Sequence, residues 1–386
     1  MVESRWLRWI GPGVVALGAV GFIASTTLGA GGRPWAPRAC AGPPAEPAAV
    51  TRGGDPPSMA DLRHEPWFRL DPILGNDGAL RGQRVSVGLG GGRVAKTLDL
   101  PPESFAAGPF GRIILVGSDD GSISRVQAFD VADACTWAIA EERAVIRRAT
   151  VDPAGSGIYE TRVDRASRAD LGVWLRPLDG SGPARRILPP LPADDRFGRT
   201  FSTEFAWDVA GERLAVQSCG EVACRTRVVA PKGGSTVTLD VPDLGGLLGF
   251  DGDRVVTYGA CRGTPCPILS TDLATGVRTV LEGEGGPAVV LATLDGVRLV
   301  HEIRTGAGRG LRSVALDGAA GTDLGPLPDD LSLHPSAVQA GSATRLPSGW
   351  VLLAPDGRLP TDDISPRPQL RHIPDGVTVP LDEAAR

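Results

Sequence analysis

Residues 207–241 read WDVAGERLAVQSCGEVACRTRVVAPKGGSTVTLDV, and their central cysteine pair, CGEVAC at 219–224, recurs as CRGTPC at 261–266. Cys219 to Cys261 and Cys224 to Cys266 are both 42 residues. Within the stretch, strands alternate with turns. Residues 213–218 and 225–231 are apolar-rich runs, and 235–241 alternates and is β-branched, as strands require. Lys232-Gly233-Gly234 supplies a tight turn, where glycine tolerates positive φ. A strand-rich unit repeating every roughly 40–50 residues is the signature of propeller blades.

The same order recurs on both sides, at 110–139, 151–188, 249–281, 294–327 and from 347 to 381. The glycine opening each second strand falls at Gly111, Gly155, Gly211, Gly252, Gly296 and Gly349, in steps of 44, 56, 41, 44 and 53 residues. Three near-constant steps and two lengthened by inserted loops predict blades. A residual strand pair, 83–88 and 93–100, shows no inner strands of its own. It is expected to close the ring with the last unit, which removes open edges. The expectation is an all-β fold over 76–386, a β-propeller of six blades, with seven as the alternative.

Composition agrees. Glycine (52) and proline (34) together make up about a fifth of the 386 residues, while 42% are hydrophobic, enough for a core. Net charge is −5, which gives no electrostatic case for a nucleic-acid partner. Lys96 and Lys232 are the only lysines, and His64, His301, His334 and His372 the only histidines. The chain is poorly stocked for lysine or histidine chemistry.

Val151-Asp152-Pro153-Ala154-Gly155 and Trp207-Asp208-Val209-Ala210-Gly211-Glu212-Arg213-Leu214-Ala215-Val216 resemble the blade signature of TolB-type propellers (WD40-like, PD40 repeats). Asp251-Gly252-Asp253-Arg254 and Asp295-Gly296-Val297-Arg298 match only its end, and the other units depart from it. The resemblance covers roughly residues 105–330. It implies a propeller in the cell envelope and carries no catalytic residue, because the signature is structural.

The N-terminus fits that compartment. Arg5 and Arg8 precede an uncharged span at 10–32, whose densest apolar run is 14–24. Residues 1–32 read as a signal peptide or a membrane-anchor helix, with the body outside the cytoplasm. The 33–75 region, rich in Pro, Gly and Ala over 31–58, reads as a tether. Six cysteines in an oxidising compartment predict disulfides. Cys219 with Cys224 and Cys261 with Cys266 would bridge hairpin ends, Cα atoms about 5.5 Å apart. Cys40 and Cys135 remain as a pair that would pin the tether to the body. Zinc held by both C-x4-C pairs is the alternative.

No G-x-S-x-G elbow and no H-x-x-H pair occurs. No catalytic, cofactor-binding or metal residue is assigned, and no cofactor is expected. His301 is expected on an inner strand as a packed or channel residue, and His334 and His372 in loop or edge contexts. Asp119-Asp120 read as turn formers in a hairpin loop, with a calcium ligand as the alternative, and Asp194-Asp195, Asp329-Asp330 and Asp362-Asp363 as solvated loops, with the mouth of the ring as the alternative. The pairs Arg147-Arg148 and Arg185-Arg186 read as charges blunting outer strands. Trp137, Trp174, Trp207 and Trp350 read as packing between blades. The function expected is a membrane-tethered or secreted, non-catalytic binding module for an envelope protein or surface ligand. The alternatives are a propeller enzyme of glycosidase, lyase or quinoprotein type with an axial acidic site, or a ligand-sensing ectodomain. Converging carboxylates at the axis would favour the enzyme, and an apolar or arginine-rimmed face would favour binding.

Overall fold

In a computed structural model of the chain, the described residues are 38–40, 67–88 and 94–380, with breaks at 102–103, 111–112, 131–132, 134, 153–154, 193–198, 209–212, 231–236, 242–244, 260–265, 294–295, 307, 334–348 and 355–368. Among them every regular element is a strand. The signature stretch folds as β14 (Leu214–Cys219), β15 (Cys224–Val229) and β16 (Val237–Val241), with β13 (Ser202–Trp207) ahead of them, in the sheet order β13-β14-β15-β16.

That up-and-down meander is repeated. Strands β5 (Phe105–Phe110) to β8 (Cys135–Glu142) form one sheet, and β9 (Val145–Val151) to β12 (Arg185–Leu188) the next. After β13–β16 come β17 (Leu247–Asp251) to β20 (Arg278–Gly285), β21 (Ala288–Thr293) to β24 (Thr322–Pro326), and β25 (Ser332–Leu333) to β28 (Thr378–Pro380). The first strand of each sheet lies against the first strand of its neighbour, β5 on β9, β9 on β13, β13 on β17 and β17 on β21. Sheets set side by side around their first strands are the arrangement of a β-propeller.

Residues 83–100 depart from expectation. They form β3 (Leu80–Gly88) and β4 (Val94–Leu100), and β2 (Trp67–Leu74) completes a three-stranded sheet in the order β2-β3-β4. The pair therefore has an inner strand, and β2 lies at the end of the region expected to be tether. Its sequence, WFRLDPIL, carries five apolar residues in eight, enough to pair with β3 along its whole length.

The tracked glycines are required by their backbone. Gly155, Gly252, Gly296 and Gly349 have φ of 71°, 48°, 116° and 87°, the left-handed region that a side chain disfavours. Each sits where the first strand turns into the second.

Among the described residues, five buried clusters lie in the seams, and each bridges two consecutive sheets. Phe105, Leu115, Trp137, Ile146, Ile158 and Leu178 belong to the first seam. Tyr159, Val173, Phe205, Trp207 and Leu214 fill the second, where Tyr159 meets Trp207 edge to face with centroids 5.2 Å apart. Trp137 donates its indole N–H to Leu178 O at 2.9 Å, across the first seam. Trp350 packs on His372 at 4.8 Å. Trp174 differs: it lies half-buried under Arg162, at 4.4 Å, and Arg186, at 5.8 Å.

Two bridges have both sulfurs described. Cys219 and Cys224 face each other directly across the β14–β15 ladder with Cα atoms 4.0 Å apart. This is closer than the expected separation. The next pair out, Gly220 and Ala223, shares the hydrogen bond from Gly220 N to Ala223 O, so the cysteines occupy the narrow, unbonded site. Cys40 and Cys135 are joined with Cα atoms 5.1 Å apart. Beside that bridge β1 (Arg38–Ala39) runs parallel to β8 as a fifth strand. Cys266 is disulfide-bonded, and Cys261, its expected partner, lies outside the described residues.

The bridges close loops of very different length, 95 and 5 residues in sequence separation. By loop entropy, the Cys40→Ser/Cys135→Ser variant loses about 4.7 kcal/mol and Cys219→Ser/Cys224→Ser about 2 kcal/mol. Guanidinium unfolding followed by fluorescence measures both, and equal losses would contradict this ordering.

Candidate functional site

Second-to-third turns and sheet-to-sheet links share one face of the molecule, called the link face below. Arg165, in the β10–β11 turn, forms a fork to Asp119 at 2.7 and 2.8 Å and donates to Arg143 O at 3.1 Å. Those partners lie in the β6–β7 turn and in the link into β9. Thr200 N, in the next link, donates to Arg168 O of the same β10–β11 turn at 2.9 Å. The bridged β14–β15 hairpin is on this face too.

The seams also carry buried charge. Glu160, on β10 (Gly157–Val163), is fully buried and accepts from Arg162 Nε at 2.9 Å. Arg162 also reaches Glu142 at 2.8 Å, and Arg176 bonds the same Glu142 and reaches Glu160 at 3.3 Å. At the next seam Arg227 and Asp170 pair at 3.3 Å with side chains 4% and 2% exposed. Burial pushes the Arg227 guanidinium down, and the Asp170 charge opposes that shift.

Three carboxylates each accept a backbone N–H from the strand or link that follows them. Asp170 accepts from Leu191 N at 2.6 Å, Glu204 from Leu247 N at 2.7 Å, and Glu302 from Leu333 N at 2.6 Å. Glu302 also takes Arg309 at 2.6 Å and Ser332 Oγ at 2.5 Å.

Glu204 lies on an inner strand, as does Arg148 on β9. Arg148 donates one hydrogen bond, NH1 to Ala106 O on β5, at 3.3 Å. Its charge also acts on Glu204 of β13, on the other side. The guanidinium therefore spans the inner edge of its own sheet. A bulge helps place it there: Thr161 pairs with Arg148 and Arg162 with Ile146, leaving Arg147 as the extra residue. Burial holds the Glu204 carboxyl above its ordinary value, partly offset by the Leu247 N–H and the Arg148 charge. Burial likewise lowers Arg148, partly offset by Glu204. Tyr258, on β18 (Arg254–Tyr258), also feels Glu204, and burial raises its phenol to about 12.

This placement corrects one expectation. Arg147-Arg148 lie on the innermost strand of their sheet, not an outer one. The run VIRRATV precedes the signature Asp152, and that signature marks the end of a first strand; the charges misdirected the reading. Arg185 and Arg186 do lie on the outer strand β12, both exposed. His301 is fully buried, but on the second strand, β22 (Gly296–Thr305), at 3.6 Å from Glu282, with its imidazole pushed down by burial. His372 is on β27 (Gln369–His372), the third strand of its sheet, with Nδ1 2.7 Å from Asp375. Asp119 and Asp120 are turn residues: Asp120 accepts from Ile123 N at 2.8 Å and pairs with Arg125 at 2.6 Å. His64, His334, Asp194-Asp195 and Asp362-Asp363 lie outside the described residues.

On the opposite face the signature acids brace first-to-second turns. Asp208 accepts from Arg213 N at 3.1 Å, and Arg213 crosses to Asp253 of the next sheet at 2.9 Å. Asp152 accepts from Ser156 Oγ at 2.5 Å. Among the described residues no group of three His, Cys, Asp or Glu could hold a metal ion, and no helix is long and apolar enough to cross a membrane.

No protein-family model and no curated protein matches the chain. Among solved structures it is similar to a prolyl endopeptidase, at 16% identity and TM-score 0.53, over 84% of this chain and 49% of that one. The chain thus spans about half the length of that relative. It is also similar to TolB from Acinetobacter baumannii, at 12% identity and TM-score 0.41, over 84% and 78% of the two chains. The β-propeller domain of the Trilobed protease from Pyrococcus furiosus matches at 11% identity and TM-score 0.45, over 83% and 96%. The structural neighbours include TolB and other β-propeller proteins. At these identities the likeness bears on the fold alone.

Two predictions arise from the seams. Asp170→Ala leaves Arg227 buried without its counterion and Leu191 N without its acceptor, and costs about 3–5 kcal/mol in chemical denaturation. Glu204 is raised in the folded state, so its contribution to stability falls as pH climbs from 4.5 through the raised value. Glu204→Gln therefore raises the melting midpoint at pH 8 and leaves it unchanged at pH 4. An equal gain at both pH values would show that the ionised carboxylate is not the cost.

Proposed function

We propose that this chain is an extracytoplasmic, non-catalytic binding module, a propeller that presents its link face to an envelope protein or surface ligand. The observation that carries this reading is the inner edge. Arg148 stands on β9, the acids of the inner strands are spread over β2, β13 and β17 as Asp71, Glu204 and Asp251, with Glu204 toward the link-face end of its strand and Asp251 at the opposite end of its own, and β5, β9 and β21 contribute no acid or histidine. That is the arginine-rimmed arrangement of a binding surface rather than a set of converging carboxylates. The disulfides support an oxidising compartment. Residues 1–32 serve as the signal or anchor and the segment after them as the tether. The sheet β2-β3-β4, with its own inner strand, favours seven units in the ring over six.

Arg38 pairs with Cys135 and Ala39 with Thr136, so β1 runs parallel to β8, away from the β7–β8 turn of the opposite face. The enzyme reading has the raised Glu204 carboxyl in its favour, and turnover abolished by Glu204→Gln would establish it.

Two matched valines test the reading. Val222, at the tip of the bridged hairpin, and Val277, in the β19–β20 turn of the opposite face, are 59% and 60% exposed. Val222→Glu is expected to reduce, by roughly tenfold or more, the recovery of whichever envelope protein the wild type crosslinks, measured by quantitative mass spectrometry. Val277→Glu leaves recovery unchanged. A loss confined to Val277→Glu would move the site to the other face.

A further inference from the structure

Arg148 carries a charge that the protein leaves without a counterion. Arg162, Arg176 and Arg227, the other arginines of the same seams, each bond a carboxylate. Arg148 has one backbone acceptor, Ala106 O at 3.3 Å, and no carboxylate within 4.0 Å among the described residues. Its remaining guanidinium donors are neither hydrogen-bonded nor sealed from solvent. Arg148 lies on the innermost strand of its sheet, directly after the bulge at Arg147. A lone guanidinium deep in a protein is costly unless an anion completes it.

We infer that the inner edge between β5, β9 and β13 binds the carboxylate group of a ligand, with Arg148 as its counterion. This deepens the binding-module reading and rests on it. The chemistry selects a carboxylate among anions. The planar guanidinium matches a carboxylate through two parallel hydrogen bonds. Glu204 stands on the neighbouring strand, and its repulsion of a phosphate dianion is about twice that of a monoanionic carboxylate. Ala106 and Glu204 lie toward the link-face ends of β5 and β13, and Arg148 is the central residue of β9.

The carboxylate has two sources, a small free acid or the C-terminus of a polypeptide. Isothermal titration of the full chain with N-acetylalanine, with an N-acetylated tripeptide acid, with the same tripeptide as its C-terminal amide, and with inorganic phosphate separates them. The acids bind, and the amide and phosphate do not. Equal affinity for both acids identifies a small-molecule site, and tighter binding of the tripeptide identifies a C-terminus. Arg148→Met weakens the acids by roughly 10–100-fold, the loss of a charge-assisted hydrogen-bonded pair. Arg148→Lys, which keeps the charge and loses the fork, falls between, and carries the test if the Met variant does not fold. Glu204→Gln tightens binding by removing the one acid beside the site, a change that a purely structural role for Arg148 would not produce.

The assignment is overturned if no acid binds at about 10 mM, where a 1 mM site would be nearly full. It is equally overturned if phosphate or the amide binds as well as the acids, or if Arg148→Met binds them unchanged. Failure here with the Val222 effect intact removes this site alone. Carboxylate binding without any Val222 effect removes the hairpin from the interface and leaves the site standing.

Discussion

Face-to-face packing of consecutive sheets is the constraint on which the rest of this structure depends. The first strand of a central sheet is buried on both sides. In β21, Ala288 and Val290 pack against the preceding sheet, while Val289 and Leu291 pack against the following one. Burying a valine or leucine contributes about 1.5–3 kcal/mol, and a sheet standing alone would expose both rows. Stability therefore resides in the seams, and each sheet is held by its neighbours. This is why the inner strands are short apolar runs and why the polar residues they do carry are informative.

Seams also create a backbone problem. When the chain leaves one sheet and enters the next, the first residues of the new strand have lost one ladder and not yet joined another. Buried N–H groups at such points need acceptors. Asp170, Glu204 and Glu302 supply them to Leu191, Leu247 and Leu333. A carboxylate makes a strong acceptor but is costly to bury, so two of the three are neutralised by arginine, Asp170 by Arg227 and Glu302 by Arg309. Glu204 is the exception. The charge of Arg148 acts on it without an ion pair among the described residues, and burial raises its carboxyl. The same division of labour thus leaves one acid and one arginine incompletely paired, and both lie on inner strands.

The repeat was legible because turns impose strict chemistry. Gly155, Gly252, Gly296 and Gly349 must adopt positive φ, so they recur at a countable interval. Cys219 and Cys224 were legible as a bridge because the hairpin between them is so short. The sheet at 67–100 was half hidden, because WFRLDPIL follows a stretch rich in proline and glycine. The inner edge was hidden for a different reason. Two adjacent arginines ordinarily mark a solvated strand, and the bulge that lets an inner strand accommodate them has no residue signature in VIRRATV. Likewise, nothing in the spacing of Glu204 and Leu247 shows that one caps the other across a seam.

The bulge ties these points together. In an unbroken β9, side chains would alternate strictly, and Arg148 would share a face with Ile146. Ile146, Ala149 and Val151 instead all belong to the apolar seam with the β5–β8 sheet. The extra residue at Arg147 shifts the alternation by one, which keeps Ile146 in the core on one side of the bulge and frees Arg148 from it on the other. Without the bulge, either an isoleucine would leave the seam or an arginine would enter it. A local break in the ladder is thus the condition under which an apolar inner strand can hold a guanidinium at the centre of the molecule, bonded to the sheet before it and acting on the acid of the sheet after it.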